Sequence, residues 1–195
     1  MLERYVNNAI LSALSRPQYP EGCSIACLTT AVNCLFGAER ALVKQEELAA
    51  ALGVRVDDIG IAGGPGNEIV LGWFREYIEA TGLQASCGVL LDRYDAKDES
   101  LSAALFEDVK EIIRNDETVL VYHLERHYNV VCGYVEHAAE SRDVYDTEKP
   151  SRRWLVLADT SLRRDPVWSI RWQAVLEDFL NDRRHCILAF SRVRS

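Results

Sequence analysis

Three segments of the sequence carry, in chain order, the residue types of a nucleophile, a base and an orienting carboxylate. Cys23 follows the Pro- and Gly-containing segment 17–22 and stands at the predicted start of an apolar helix. Unpaired backbone N–H groups and the helix dipole stabilise a thiolate there and lower the pKa of the thiol. This predicts that Cys23 attacks a carbonyl carbon. The alternative is a small apolar side chain that packs at the start of a buried helix.

His127 begins a strand-like segment, and Asp159 ends the apolar run 154–158. A histidine at a strand end has a fixed backbone and can reach a thiol on another element as its base. A carboxylate at the end of a buried strand can accept the second imidazole N–H and orient the ring. Asp159 could instead cap the turn that follows the strand. His123 is the competing base, but it lies inside an apolar run, as structural histidines do.

Gln18 and the two remaining histidines complete the set of candidate residues. The helix-start N–H groups at Cys23 can bind the oxyanion formed by attack on a carbonyl, and the Gln18 amide could supply a second donor. His137 and His185 lie in charged turns, for which surface positions are expected. No cysteine pair has CxxC spacing and the histidines are scattered, so we predict neither a metal site nor a cofactor.

The elements that must position these residues change character along the chain. Helical spacing of apolar residues, with Gly and Pro as stops, predicts helices at 2–14, 23–36, 45–52, 67–80, 101–115 and 172–181. Strand-like runs begin at residue 118 and recur at 127, 154 and 186. Segment 60–66 is a Gly-rich loop and a candidate lid, and segment 138–153 is a predicted surface loop or hairpin.

Helices followed by strands indicate an α+β protein with an antiparallel sheet. We expect a single domain over residues 1–195, with a helical lobe at 1–116 that carries the nucleophile helix and a sheet lobe at 117–195 that carries the histidine and the aspartate. The 48% hydrophobic content suffices for a core of that size.

Composition excludes several classes of protein. A net charge of −8 without a basic stripe argues against nucleic acid as a partner. No run approaches the roughly 18 apolar residues of a membrane span. The first residues lack the pattern of a signal peptide, and the six cysteines are then expected to be free thiols in a cytoplasmic protein.

The same segments resemble the papain-like cysteine enzymes, especially the branch of phytochelatin synthases and bacteriocin-processing C39-type peptidases. Segment 18–33 is similar to their oxyanion glutamine, nucleophilic cysteine and following helix, and 127–134 to their His-aromatic segment that leads to Gly-Tyr. Segments 154–159 and 165–180 are similar to the strand that delivers the acidic residue and to the stretch after it. Ser24 departs from the pattern, because a glycine commonly follows the cysteine.

The resemblance implies a papain-like cysteine proteinase fold and a thioester acyl-enzyme on Cys23. The acyl donor would be peptide-like or a thioester, and the acceptor water or an amine, as in a phytochelatin-synthase-like acyltransferase. One alternative is a C39-like peptidase that cleaves a leader peptide. Another is a catalytically silent papain-like binding domain in which Cys23 only packs. A third hypothesis, a metal-binding protein, lacks a suitably spaced ligand cluster.

Overall fold

A computed structural model describes residues 2–55, 65–92, 99–124, 127–137, 152–162, 165–182 and 184–193. The helices within these ranges are α1 (Asn8–Ala13), α2 (Cys23–Phe36), α3 (Gln45–Ala51), α4 (Asn67–Thr81), α5 (Glu99–Arg114) and α6 (Trp172–Asn181). The strands are β1 (Leu2–Val6), β2 (Ala85–Leu91), β3 (Thr118–Leu124), β4 (His127–His137), β5 (Arg152–Ala158), β6 (Val167–Arg171) and β7 (Cys186–Arg192). Helices and an antiparallel sheet confirm the α+β class.

The described strands form a single sheet in the order β2-β7-β3-β4-β5-β6, and β1 also pairs with β4. Strand β4 is the centre of this sheet because it has three partners. Its first half pairs with β3, its second half pairs on the same edge with β1, and β5 lies along the opposite edge. The start of β4 and the end of β5 therefore meet at the same end of these two strands, and this place is called the corner of the sheet below.

Helices cover both faces of the sheet, as the alternation of side chains along β3 demonstrates. Val119 and Val121 belong to a buried cluster with α1, α2, α3 and α4, whereas Leu120 and Tyr122 pack with α5 and α6. Helix α2 is almost completely buried, with twelve of its residues in the interior, which fixes its first turn against the sheet.

The prediction of one helix over residues 2–14 is wrong for its first part. Residues 2–6 form strand β1, and only Asn8–Ala13 is helical. Side chains at helical spacing are compatible with a short strand, and here pairing with the second half of β4 decides the conformation. Asn7 separates the two elements, because its Oδ1 accepts the Ala9 N–H at 2.9 Å and caps α1.

Two further strands, β2 and β6, were not predicted. Strand β2 follows α4 and pairs with β7 at one edge of the sheet, and β6 pairs with β5 at the other edge. Residues 1–116 therefore contribute β1 and β2 to the sheet in addition to their helices. The single-domain assignment stays a prediction.

Parts of two predicted loops lie outside the described residues: 60–64 of the candidate lid, and 138–151 of the loop that precedes β5. Among the described helices, none combines the length and apolar character that a membrane crossing requires.

Candidate active site

Cys23 is the first residue of α2, as predicted from the Pro/Gly break before it. Gly22 is the N-cap residue, and its carbonyl accepts the Ala26 N–H at 3.0 Å to begin the helix. A side chain at Gly22 would crowd Tyr19, since a Cβ would lie 3.1 Å from the Tyr19 carbonyl oxygen. Gln45 on α3 donates to the Pro17 carbonyl at 2.9 Å and anchors the preceding segment. The sulfur is thereby presented from a fixed turn.

The first turn of α2 contacts the main chain of β4 at Tyr128. The backbone of Tyr128 hydrogen-bonds the Cys23 thiol, and the Cys27 thiol donates to the Tyr128 carbonyl at 3.3 Å. Tyr128 directly follows His127 in the chain. The thiol of Cys23 therefore lies at the corner of the sheet where β4 begins.

The expected lowering of the Cys23 pKa is not found. Only 7% of Cys23 is exposed, and this burial raises the pKa of the thiol. Hydrogen bonds from the backbone of Tyr128 and Ser24 act in the opposite direction but do not outweigh burial, and the charge of Glu21 adds to the increase. The sequence indicates the helix N-terminus but not the depth at which it is buried.

His127 and Asp159 are brought together across the corner between β4 and β5. Nε2 of His127 lies 3.2 Å from Oδ1 of Asp159. The carboxylate is fully buried, whereas a fifth of the imidazole side chain is exposed. Since Nε2 faces the carboxylate, Nδ1 is the ring atom left for a thiol or a substrate.

The Asp159 carboxylate is held by the turn after β5. Its own N–H donates to the Pro166 carbonyl at 3.0 Å, and Oδ1 accepts the Ser161 N–H at 2.7 Å. Burial acts to raise the pKa of this carboxyl, but the Ser161 hydrogen bonds and the attraction of His127 outweigh it, so that the pKa is lowered. Asp159 is thus an anion at neutral pH that both caps the turn and contacts the imidazole.

Gln18 lies beside the same turn. Its N–H donates to the Thr160 carbonyl at 2.9 Å, and its Oε1 accepts the Thr160 hydroxyl at 2.6 Å. The amide oxygen is therefore occupied, which leaves the Nε2 donors for another group. The Cys23 thiol contacts the backbone of Tyr128, which is the residue after His127. Among the described residues, no hydrogen bond joins the Cys23 thiol to the His127 imidazole directly.

A polar cluster that the sequence did not reveal adjoins the site on the face of β3 and β4. His123 stacks on Tyr128 with ring centroids 4.2 Å apart, and its Nδ1 lies 2.8 Å from Oδ1 of Asn67. Burial, with a smaller contribution from His185, lowers the pKa of His123 to about 4. His123 is therefore a neutral, buried histidine with hydrogen-bond partners, in agreement with its expected structural role.

The predicted surface position of His185 is wrong. This residue is 6% exposed, and its Nδ1 lies 2.8 Å from Oδ1 of Asp178 on α6. The ring of His185 lies against that of His123 on β3, with centroids 5.7 Å apart. Among the described residues, no group of three or more His, Cys, Asp or Glu side chains is arranged to hold a metal ion.

Comparison with known proteins identifies one family over nearly the whole chain. A sequence profile described as "Basic immunoglobulin-like variable motif-containing protein" matches residues 2–194. Curated proteins of that name from Giardia intestinalis, Xenopus tropicalis and Homo sapiens are 24%, 21% and 22% identical to this chain. The matches cover 91%, 92% and 92% of this chain and 76%, 43% and 43% of those proteins. The chain thus spans less than half the length of its vertebrate relatives.

A solved structure also resembles the chain. The crystal structure of UfSP from C. elegans superposes with a TM-score of 0.46 and 8% sequence identity, and the match covers 93% of this chain and 30% of that one. At this level the likeness supports no functional conclusion.

The resemblance to the papain-like enzymes through their phytochelatin synthase and C39-type branch is wrong as a family assignment. The profile that spans the chain, and the relatives that match it, belong to a different family. The short segments on which the resemblance rested do not extend to a family relationship.

Proposed function

The chain belongs to the family of basic immunoglobulin-like variable motif-containing proteins, and we propose that it is a cysteine-dependent hydrolase of peptide-like substrates. Cys23 is the nucleophile, His127 the base and Asp159 the residue that orients the histidine. The observation that carries this proposal is the contact between His127 and the buried Asp159 carboxylate, at the corner where α2 presents Cys23. An imidazole held by a buried anion beside a helix-start thiol is suited to acyl transfer.

The reaction proceeds through a thioester. His127 Nδ1 takes the proton of the Cys23 thiol as the sulfur attacks the carbonyl carbon, and Asp159 stabilises the resulting imidazolium through Nε2. The imidazolium then protonates the leaving amine as the C–N bond breaks. A water molecule, deprotonated by His127, attacks the thioester and restores the thiol. N–H groups of the first turn of α2, with the Gln18 amide, bind the oxyanion in both steps.

The papain-like arrangement belongs to the same proposal. It is supported by three placements: a buried helix that begins at the cysteine, a central strand that begins at the histidine, and a neighbouring strand that ends before the aspartate. A peptide-like donor, water as acceptor and a cytoplasmic location are further parts of the proposal that follow from the sequence.

Selective alkylation tests the assignment. At pH 7, iodoacetamide should modify Cys23 about tenfold faster than Cys34, with site-resolved rates measured by mass spectrometry. Cys34 is a matched control because it lies on the same helix and is more exposed, with a pKa raised to about 11 by burial. A preference for Cys23 cannot then come from accessibility, and variants of His127 and Asp159 test whether it comes from the imidazole.

Two variants make this test specific. His127→Gln and Asp159→Asn should each slow alkylation of Cys23 at least about tenfold and leave the Cys34 rate unchanged. A peptide vinyl sulfone should label the wild-type protein at Cys23 and fail to label Cys23→Ser. The proposal is overturned if Cys34 reacts faster than Cys23, or if the His127 variant alkylates like the wild type.

A second candidate function is that of a catalytically silent binding domain. The burial of Cys23 and its raised pKa favour it, because a neutral, enclosed thiol is also what simple packing requires. This function predicts that Cys23→Ala retains the folded state and that none of the site variants changes thiol reactivity.

A further inference from the structure

Three buried polar atoms without a hydrogen-bond partner lie at the corner of the sheet that holds the candidate site. They are Oδ1 and Nδ2 of Asn129 and Oδ2 of Asp159, and the part of the chain that the structure describes offers none of them a donor or an acceptor. Both side chains are fully buried. An unsatisfied buried polar group destabilises the folded state, and more so if it is charged, so such atoms seldom persist alone.

The strand register makes Asn129 and Asp159 neighbours. Val130 of β4 and Ala158 of β5 form the last pair of this ladder, and Asn129 and Asp159 are the residues directly beyond it on the two chains. Side chains directly opposite on antiparallel strands have Cβ atoms about 5 Å apart and share a face of the sheet. His127 lies two residues before Asn129 and therefore points to the same face, where its ring meets Asp159.

Asn129 interrupts an otherwise apolar stretch of the central strand. Tyr128, Val130 and Val131 on either side are buried core residues. A buried asparagine at such a position destabilises the fold unless its side-chain amide is hydrogen-bonded, which indicates that the amide has a polar partner here. The two amide atoms and the carboxylate oxygen together provide the two to four partners that a buried water molecule requires.

We propose that Asn129 is a positioning residue for Asp159, joined to Oδ2 through a buried water molecule. The water donates to Oδ2 of Asp159 and accepts from the side-chain NH₂ of Asn129, while Oδ1 of Asp159 keeps its bonds to Ser161 and His127. The carboxylate is then fixed at both oxygens, and its Oδ1 stays aimed at Nε2. The catalytic consequence rests on the function proposed above, whereas the pairing itself does not.

A neutral donor suits the charges that face this carboxylate. His127 approaches it from β4, the Cys27 thiol lies near it on α2, and Arg16 binds the Ser161 carbonyl in the adjoining turn. A cation at position 129 would compete with His127 for Asp159, and an anion would repel the carboxylate. An amide supports the anion without either effect.

The matched pair Asn129→Thr and Asn129→Val tests the proposal. The two replacements have nearly the same shape and both suit a central strand, but only threonine keeps a hydroxyl that can bond the water. In the valine variant the pKa of Asp159 should rise, as measured by NMR titration of its carboxyl carbon resonance. Alkylation of Cys23 should slow about fivefold to tenfold. The threonine variant should remain within about twofold of wild type, and Cys34 should react equally in all three proteins.

The titration of Asp159 separates this inference from the proposed function. If wild-type Cys23 proves no more reactive than Cys34, the enzyme proposal fails, but the Asp159 titration still decides the role of Asn129. Should the valine variant titrate like wild type, the inference is overturned. If neither variant folds, the wild-type protein decides: the Asn129 side-chain NH₂ resonances must shift with the same midpoint as the Asp159 carboxyl, and their failure to do so overturns the proposal.

Discussion

At the scale of single residues, burial acts to raise the pKa of both acids of the site, but the net shifts have opposite signs. Burial raises the pKa of the Cys23 thiol, while Asp159 remains an anion because Ser161 and His127 compensate its burial. The candidate site thus contains a neutral thiol at the start of α2 and, at the start of β4, an imidazole that is held by a carboxylate. Under the proposed function, transfer of the thiol proton then belongs to the reaction with substrate and is not completed beforehand.

Glu21 is an exposed acid whose charge raises the pKa of Cys23 from two residues away. Its removal in Glu21→Gln should lower that pKa and speed alkylation of Cys23 at pH 7 about twofold to threefold, because the interaction acts through solvent and is partly screened. Glu79→Gln, at the far end of α4, removes the same charge as a control and should leave the rate unchanged. Equal rates for the two variants would rule out the effect of Glu21.

His123 gives the protein a predictable loss of stability in acid. Its folded-state pKa of about 4 lies below the ordinary value of 6.5, so the unfolded chain binds the proton more tightly. Its contribution to the free energy of unfolding is therefore complete above pH 6.5 and is lost as the pH falls towards 4, by about 1–3 kcal/mol.

In His123→Phe, which keeps a ring to stack on Tyr128, this loss should disappear. Urea unfolding of both proteins at pH 7 and pH 4.5 measures the difference. At pH 7 the free energy of unfolding of the variant should be lower than that of wild type, since the variant lacks the bond to Asn67. On acidification, however, it should decrease less than that of wild type. An identical decline in both proteins would assign the acid sensitivity to other groups.

The sequence supported the choice of Cys23, His127 and Asp159 because each stands at a predicted end of an element, where a side chain can leave the core. Asn129 could not be chosen in this way, since a single polar residue within a strand acquires its meaning only from the residue opposite. The pKa of Cys23 was likewise beyond the sequence, because burial depends on how α2 docks against β4.

At the scale of elements, most of the long apolar patterns were predictable, whereas the two shortest strands and the edge strand β2 were not. Helix α2 and strands β3, β4 and β7 follow from their own periodicity and lie close to the expected positions. Strands β1 and β6 have five residues each, too few to distinguish a strand from one turn of helix or a loop. Their conformation is decided by pairing with β4 and β5.

Gly133 allows β1 to join the sheet, and this can be tested. The register of β4 against β5 shifts between Val131 and Gly133, and a Cβ at Gly133 would lie 2.3 Å from the Tyr5 carbonyl oxygen. Gly133→Ala should therefore displace β1 and destabilise the protein by about 2–4 kcal/mol in urea unfolding.

Gly88→Ala on edge strand β2 is the control for this prediction, because a Cβ there meets nothing within 4 Å. It should change the stability by less than about 1 kcal/mol, since alanine also restricts the unfolded chain. If the two alanine variants are equally stable, the close approach of β1 to Gly133 is not what holds that strand.

At the scale of the whole molecule, the α+β class could be predicted but the family could not. Acyl transfer by a cysteine requires a particular set of residues at the ends of elements: a cysteine before an apolar helix, a histidine at the start of a strand and an aspartate at the end of another. Short segments that meet those demands resemble each other whatever family they come from. The family is instead defined by a match over residues 2–194, which includes the middle of the chain where those segments say nothing.

A buried cation joins three parts of the molecule that are distant in sequence. Lys110 on α5 lies 2.9 Å from Glu3 on β1 and 2.8 Å from Glu136 on β4, and only 5% of its side chain is exposed. Burial alone would lower the pKa of Lys110, but the hydrogen bonds that its ammonium donates to Glu136, Glu3 and Glu107 outweigh this and raise it. The ammonium therefore remains charged and neutralises carboxylates that would otherwise repel each other.

Loss of this cation should be costly for the fold as a whole. Lys110→Met leaves the largely buried Glu136 carboxylate with one cation fewer and should destabilise the protein by about 2–4 kcal/mol at pH 7, measured by urea unfolding. The double variant Lys110→Met/Glu136→Gln also removes the carboxylate, which Arg153 alone would otherwise balance, and should regain about half of that loss. The penalty then comes from the incompletely balanced carboxylate and not from missing packing. If the double variant is no more stable than Lys110→Met, the lysine contributes through its aliphatic chain, and the joining of α5 to β1 and β4 is apolar.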